Sequence, residues 1–146
     1  MVNMTYTGYQ YDTLIIHQFN NSNASLSNPI RIFVGDGTIS NVCFSPDNKK
    51  LYGSTPTGNG GSLTDTLWQF DLTNYNVNSV LASKTMIYAD SMGIGQMQNA
   101  PNGKIYMARF TTSFISSNAD SLAVINNPNS SGLACNFDFN GVYLQI

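Results

Sequence analysis

Residues 45–52 read Ser-Pro-Asp-Asn-Lys-Lys-Leu-Tyr, and residues 100–106 read Ala-Pro-Asn-Gly-Lys-Ile-Tyr. The two prolines are 55 positions apart. A second landmark, the tripeptide Asp-Thr/Ser-Leu, keeps nearly the same period, because it begins at Asp12, Asp65 and Asp120. Two landmarks in one register indicate a structural unit that repeats along the chain.

Each unit is predicted to contain four short β-strands and no helix. In the middle unit, the strand-like runs fall at residues 39–44, 50–54, 67–72 and 80–88. Pro, Asn, Gly and Ser, the residues that favour turns, are frequent between these runs. The same pattern recurs from residue 93 to about residue 144, whereas the first unit is truncated.

Four antiparallel strands in roughly 50 residues, repeated along the chain, are typical of β-propeller blades. The sequence therefore predicts an all-β propeller fragment. We assign residues 1–38 to a partial blade with strands two to four, residues 39–91 to a full blade, and residues 92–146 to a second full blade. A β-sandwich with accidental internal similarity is the alternative.

The number of units predicts which surfaces lack a neighbour. Propellers close with about four to eight blades, so we expect a piece of a longer protein, or copies that close a ring together. The uncovered faces are expected to carry residues such as Ile15, Ile30, Ile32 and Val142. The residues expected to be buried between blades are Phe44, Leu51, Trp68, Phe70, Ile105 and Val124.

Several segments resemble one group of propellers. Residues 44–52 resemble the Phe-Ser-Pro-Asp-Gly turn of YVTN-type and WD40-like blades, and residues 67–72 resemble their third strand. Residues 97–108 resemble a Leu-Gln-Leu-Ala-Pro-Asp-Gly-Lys-Ile-Tyr-Val-Ala segment, although Asn102 replaces the usual Asp. With residues 122–144, this order resembles the last propeller blades of large secreted Bacteroidota surface proteins, which continue into PKD-like modules and a gliding-motility-associated sorting domain used in type IX secretion.

The resemblance implies an extracellular or cell-surface location and a non-catalytic role in binding, adhesion or spacing. It implies no cofactor and supplies no catalytic residues. The implied partners are the remaining blades or other covering chains, and carbohydrate or surface proteins. The alternatives are part of a lactonase-like propeller hydrolase, or a subunit that completes its propeller with other copies.

Composition excludes two further classes of function. Six basic side chains and a net charge of −2 cannot form the basic stripe that nucleic acid requires. No apolar run approaches the ~20 residues of a membrane-spanning helix, and the first twenty residues resemble no signal peptide. Cys43 and Cys135 either pair outside the cell or remain two buried thiols.

Residues that could carry catalysis or hold a metal are few. His17 is the single histidine, and a Ser-His-Asp arrangement lacks its nucleophile motif, so we expect a structural or surface role for it. Asp12, Asp65 and Asp120 could approach one another at one propeller face, but an Asp before a strand more simply satisfies a turn. No metal site is predicted, because Cys and His clusters are missing from the sequence.

Two sets of residues are candidates for binding or modification. The tyrosines at the N-terminal end could form an aromatic platform for sugars; they are Tyr6, Tyr9 and Tyr11. Asp-Ser/Thr followed by an apolar residue resembles the O-glycosylation acceptor of exported Bacteroidota proteins. The acceptors that this pattern predicts are Thr13, Thr66, Ser91 and Ser121.

Overall fold

The computed structural model describes residues 2–5, 13–33, 39, 41–57, 64–111 and 120–144. Antiparallel β-sheets dominate these residues, which confirms the all-β prediction. The strands are β1 (Val2–Thr5), β2 (Thr13–Asn20), β3 (Ser25–Phe33), β4 (Asn41–Phe44), β5 (Lys50–Thr57), β6 (Thr64–Asp71), β7 (Thr85–Asp90), β8 (Met92–Asn99), β9 (Ile105–Thr111), β10 (Ser121–Ile125) and β11 (Phe137–Tyr143). The helices are α1 (Val77–Ala82) and a 3₁₀ helix (Gly132–Cys135).

The strands form three sheets in which neighbours along the chain are neighbours in the sheet. The first sheet has the order β1-β2-β3, the second β4-β5-β6-β7 and the third β8-β9-β10-β11. Strand β5 pairs with β4 and β6, whereas β9 pairs with β8 and β10. The two Pro-containing turns therefore occupy the same place in two different sheets.

Backbone geometry at these turns explains the repeated sequence. The amide of Ser45 donates to the Lys50 carbonyl at 2.9 Å, and the amide of Ala100 donates to the Lys104 carbonyl at the same distance. Each turn includes one residue with positive φ, Asn48 at 58° and Gly103 at 78°. Asn and Gly are the residues that adopt this conformation most readily, which is why they occur here.

A second repeated contact joins the start of the second strand to the end of the third. Lys50 Nζ donates to Asp71 Oδ2 at 2.8 Å in the second sheet, and Lys104 Nζ donates to Asn126 Oδ1 at 2.7 Å in the third. The Lys50 hydrogen bond holds the pKa of Asp71 at about 2. The lysine of the repeated turn thus has a structural role in both sheets.

The second sheet lies between the other two and is buried on both faces. Along β5 and β6, Leu51 and Phe70 contact the first sheet, whereas Tyr52 and Leu67 face the third. Alternate residues of a strand point to opposite faces, so one strand contributes to two cores. The buried members of the first core are Leu14, Ile16, Ile32, Ile39, Leu51, Phe70, Leu72 and Val80. Those of the second are Tyr52, Leu67, Ile87, Ile94, Ile105, Met107, Ala123, Ile125 and Cys135.

The predicted core is largely confirmed, with two exceptions. Leu51, Phe70, Ile105 and Val124 are at most 2% exposed. Phe44 and Trp68 are only half-buried and pack at the margin of the first core. The Trp68 indole N–H donates to Thr55 Oγ1 at 2.9 Å, and the Lys84 ammonium lies 4.0 Å from the ring centre.

The fourth strand of the second sheet begins later than predicted, because a helix precedes it. The side chain of Asn76 accepts a hydrogen bond from the Ser79 amide and caps α1. Val80, the predicted strand start, lies inside this helix and is fully buried. Cys135, 55 positions after Val80, is the equivalent residue in the third sheet, and it is fully buried in the 3₁₀ helix. The 3₁₀ helix contacts β7 of the second sheet, as α1 contacts β3 of the first.

None of the described helices has the length and apolar character needed to cross a membrane.

The prediction of uncovered residues is wrong for Ile32, which is fully buried, and for Ile30, which is half-buried against the first core. Ile32 pairs with Leu14 across β2 and β3, and Ile30 pairs with Ile16, so both isoleucines face the second sheet. Ile15 lies on the opposite face and is half-buried, whereas Val142 is 36% exposed on the third sheet.

A polar clamp ties the second sheet to the loop that precedes β11. The Gln69 side chain donates to Tyr52 Oη at 2.7 Å and to the Ser130 carbonyl at 2.8 Å, and it accepts from the Gly132 amide at 2.7 Å. Tyr52 Oη in turn donates to the Pro128 carbonyl at 2.8 Å. Burial raises the pKa of Tyr52, so its hydroxyl remains protonated and acts as a donor.

Candidate functional site

The predicted aromatic platform lies outside the part of the chain that the structure describes. Tyr6, Tyr9, Tyr11 and Asp12 are not among the described residues. The sugar-binding hypothesis for these tyrosines therefore stays a prediction.

The four predicted O-glycosylation acceptors differ in their access to solvent. Thr66 and Ser121 are 6% and 1% exposed, and Ser121 Oγ accepts a hydrogen bond from Arg109. Ser91 is exposed between β7 and β8, and Thr13 is half-buried at the start of β2. Because an enzyme needs access to the hydroxyl, Ser91 and Thr13 are the stronger candidates in the folded protein.

The repeated aspartates do not form one site among the described residues. Asp65 is buried, and its Oδ2 accepts the backbone N–H of Ile94 in the third sheet at 2.7 Å, whereas Asp120 is exposed. The other carboxylate oxygen of Asp65, Oδ1, is buried without a hydrogen-bond partner. Burial raises the pKa of Asp65. Asp65 thus connects two sheets rather than satisfying a turn.

Two substitutions at Asp65 separate the hydrogen bond from the charge. Asp65→Ala leaves the Ile94 amide without its acceptor and is expected to lower the free energy of unfolding by about 1–3 kcal/mol. Asp65→Asn keeps an acceptor oxygen and removes the charge. Because burial raises the pKa of Asp65 in the folded protein, ionisation costs the wild type stability as the pH rises above about 4.

Urea denaturation at a series of pH values measures both effects. Asp65→Asn is expected to match the wild type near pH 3 and to exceed it in stability at pH 7. An Asn variant that loses stability relative to the wild type as the pH rises would contradict this assignment.

No cluster of three or more His, Cys, Asp or Glu side chains that could hold a metal occurs in the described ranges. The two cysteines are free thiols: Cys135 is buried in the second core, whereas Cys43 is half-buried and packs against it, and burial raises the pKa of each. His17 is half-buried in β2. It borders a cleft that the sequence analysis did not anticipate.

We call this cleft the amide cleft, after the side chains that border it. It has a volume of about 1120 Å³ and lies between the end of β2 and the turns of the second sheet. Residues 16–21 line one side, and Phe44, Asn48, residues 72–73 and Tyr75 line the other. Asp, Glu, Lys and Arg are all missing from the described residues that line it.

Internal hydrogen bonds orient the side chains of the amide cleft. The Asn20 side-chain oxygen accepts from both the amide and the hydroxyl of Ser22, at 2.9 and 2.7 Å. The Gln18 side-chain oxygen accepts from Asn28 Nδ2 at 2.7 Å. Asn20 thus uses both acceptor positions of its oxygen and Gln18 uses one of two, which leaves the NH₂ groups of both side chains available to a ligand.

Aromatic rings complete the amide cleft. Phe19 is 49% exposed, a large fraction for a phenyl ring, while Phe44 and Tyr75 are half-buried. The Tyr75 hydroxyl donates to the Ile16 carbonyl at 2.6 Å and fixes its ring against the first sheet. The described lining thus offers side-chain amides, one imidazole and aromatic rings, which are groups suited to non-covalent recognition.

Sequence reasoning missed this site because its parts are far apart in the chain. The end of β2, the β4–β5 turn and the segment after β6 each look like ordinary turn sequence. The available signal was Phe19 followed directly by an Asn-rich turn, where an exposed aromatic has no role in the core.

Comparisons with known proteins assign no family to the chain. A scan against models of protein families finds no match, and a search of curated proteins finds no relative of significant similarity.

Proposed function

We propose that the chain is a non-catalytic segment of a β-propeller in a secreted or cell-surface protein, where it serves as a scaffold for binding, adhesion or spacing. The three sheets would be consecutive blades, the first of them partial. The extracellular location is inferred from the low charge, from the abundance of Asn, Ser and Thr, and from the resemblance to Bacteroidota surface proteins.

The contact between neighbouring sheets through their first strands is the observation that carries this proposal. Asn99 Nδ2 of the third sheet donates to the Phe44 carbonyl at 2.9 Å, and Asn41 Nδ2 of the second sheet donates to the Ile94 carbonyl at 3.4 Å. Near the fourth strands, the 3₁₀ helix and aromatic rings pack instead. First strands in contact, with larger groups packed near the last strands, are expected of blades around an axis.

The outer face of the third sheet supports the expectation of a further blade. Leu122 and Val142 lie directly opposite each other on the face away from the second sheet. Asp120 occupies the position that Asp65 has in the second sheet, 55 residues earlier, and it is exposed. We infer that the Asp120 carboxylate accepts a backbone N–H from the first strand of a neighbouring sheet, as Asp65 does from β8.

Light scattering on the full chain tests this proposal. We expect the wild type to self-associate through the outer face of the third sheet, because none of the sheets that the structure describes covers it. Val142→Glu places a charge on this face and should shift the mass toward that of the 15.9 kDa monomer. Leu133→Glu is the control, since Leu133 is 77% exposed in the 3₁₀ helix.

Two results would count against the propeller. One is a wild type that is a monodisperse, cooperatively melting monomer. The other is a Leu133→Glu variant that disrupts association as strongly as Val142→Glu does.

A further inference from the structure

The amide cleft is distinct from the sheet face on which the proposed function rests, and its chemistry points to a class of ligand. The cleft lies at the end of the first and second sheets. Its volume of about 1120 Å³ slightly exceeds the roughly 300–1,000 Å³ of small-molecule sites. A ligand of more than one ring therefore fits.

Charge narrows the ligand class. The described lining carries no Lys, Arg, Asp or Glu, and His17 is its one side chain that can carry a charge. A ligand with several charges placed there would lose hydration without gaining a matching set of opposite charges. An uncharged ligand therefore fits the lining best.

The hydrogen-bonding groups favour a ligand rich in acceptor oxygens. The Asn20 oxygen accepts two hydrogen bonds and the Gln18 oxygen one, so the two side chains together offer two NH₂ groups and one remaining acceptor position. The Tyr75 hydroxyl already donates to the Ile16 carbonyl, which leaves its lone pairs for a donor. Sugars meet these needs, because each ring carries several hydroxyl and ether oxygens together with O–H donors.

Phe19 supplies the apolar part of the site. Its ring is 49% exposed although its neighbours Leu14 and Ile16 on the same strand are almost fully buried. A sugar ring has a face of C–H groups that packs on an aromatic ring while its hydroxyls remain at the edge. Phe19 alternates with Gln18 and Asn20 along β2, so its ring and their amides lie on opposite sides of the strand. Strand β1 pairs with β2 only as far as Ile16, so a ligand at this edge can contact both sides.

We propose that the amide cleft binds a neutral oligosaccharide, with the NH₂ groups of Gln18 and Asn20 donating to the oxygens of one sugar unit and a neighbouring unit packing on the Phe19 ring on the other side of β2. This inference rests on the proposed function as a binding scaffold and names its ligand class. An extended peptide is the competing polymer, but it presents N–H donors and carbonyl acceptors in equal number, whereas the oriented amides here offer mainly donors.

Titration calorimetry of the full chain with defined oligosaccharides tests this. The probes are the hexamers of cellulose, amylose, chitin and laminarin, with hexagalacturonate as the acidic counterpart and a hexapeptide of Gly and Ser as the peptide probe. We expect at least one neutral hexamer to bind with a Kd of about 1 mM or lower. Hexagalacturonate and the peptide are expected to bind at least about tenfold more weakly.

Three variants relate the binding to the cleft. Phe19→Ala is expected to weaken binding at least about tenfold, as aromatic anchors do. Asn20→Asp keeps the acceptor for Ser22 but removes the NH₂ group, and it should also weaken binding. Leu26→Ala is the matched control, because Leu26 pairs with Phe19 across the hairpin and is 41% exposed, yet does not line the cleft.

The outcomes distinguish this inference from the proposed function. No binding of any neutral hexamer at 1 mM, tighter binding of hexagalacturonate or the peptide, or a Phe19→Ala variant that binds like the wild type would each overturn the sugar site. The scaffold proposal would then still stand if Val142→Glu abolished self-association. A thermal melt of each variant separates lost binding from lost folding.

Discussion

Truncation of Phe70 is expected to lower the free energy of unfolding by about 3–5 kcal/mol, the cost of removing a well-packed aromatic side chain from a core. Phe70 is fully buried between the first and second sheets, where it packs in the first core with Leu51 and Val80. Phe70→Ala would leave a cavity that these β-branched and γ-branched neighbours cannot fill without moving the sheets.

Urea or guanidinium denaturation of Phe70→Ala, Trp68→Ala and Met86→Ala tests this prediction, because the loss of stability should decrease as the exposure of the truncated side chain increases. Trp68 is half-buried, so its loss should cost less than that of Phe70. Met86, its partner across β7, is 55% exposed and should change stability by no more than about 0.5 kcal/mol. A Phe70→Ala variant that loses less than about 1 kcal/mol would show that the first and second sheets do not share a core.

Replacement of Gln69 by Leu is expected to cost about 2–4 kcal/mol, because each buried polar group left without a partner costs about 1–3 kcal/mol. The Gly132 amide loses its acceptor, and the Ser130 carbonyl and the Tyr52 hydroxyl lose a donor. Leucine preserves most of the volume, so the loss reports the hydrogen bonds rather than a cavity.

A double-mutant cycle with Tyr52→Phe tests whether the clamp acts as one unit. A 2.7 Å hydrogen bond joins Gln69 to Tyr52. The stability losses of the two single variants should therefore be non-additive, with an interaction energy of about 0.5–3 kcal/mol. Gln98→Leu on β8 is the control for the amide-to-leucine change, because Gln98 is exposed. Additive effects at residues 52 and 69 would show that the clamp does not hold in solution.

The turn chemistry and the repeat were determined by local sequence. Positive φ at Asn48 and Gly103 requires residues that tolerate the left-handed region, and the flanking runs alternate with the period of a strand. Local residues alone decide such features. The four-strand order in the second and third sheets, and the repeated lysine contacts at residues 50 and 104, follow from them.

Tertiary packing decided the features that local pattern could not supply. Residues 80–88 have the composition of a strand, yet Val80 belongs to a helix because it fills the space against the first sheet. The sequence predicts that Ile32 is exposed on a truncated blade, but its pairing with Leu14 places its side chain on the buried face of the first sheet. The role of Asp65 depends on the Ile94 amide, which belongs to another sheet.

The amide cleft is the clearest case of a feature that only the tertiary structure decided. Phe19 lies near the end of β2, 29 residues before Asn48, and Asn48 lies 27 residues before Tyr75. The sequence determines that turns follow β2, connect β4 with β5 and follow β6, because Asn and Ser side chains hydrogen-bond the local backbone there. It does not determine that the turns meet, because the packing of the first core against the second sheet sets the distance between them.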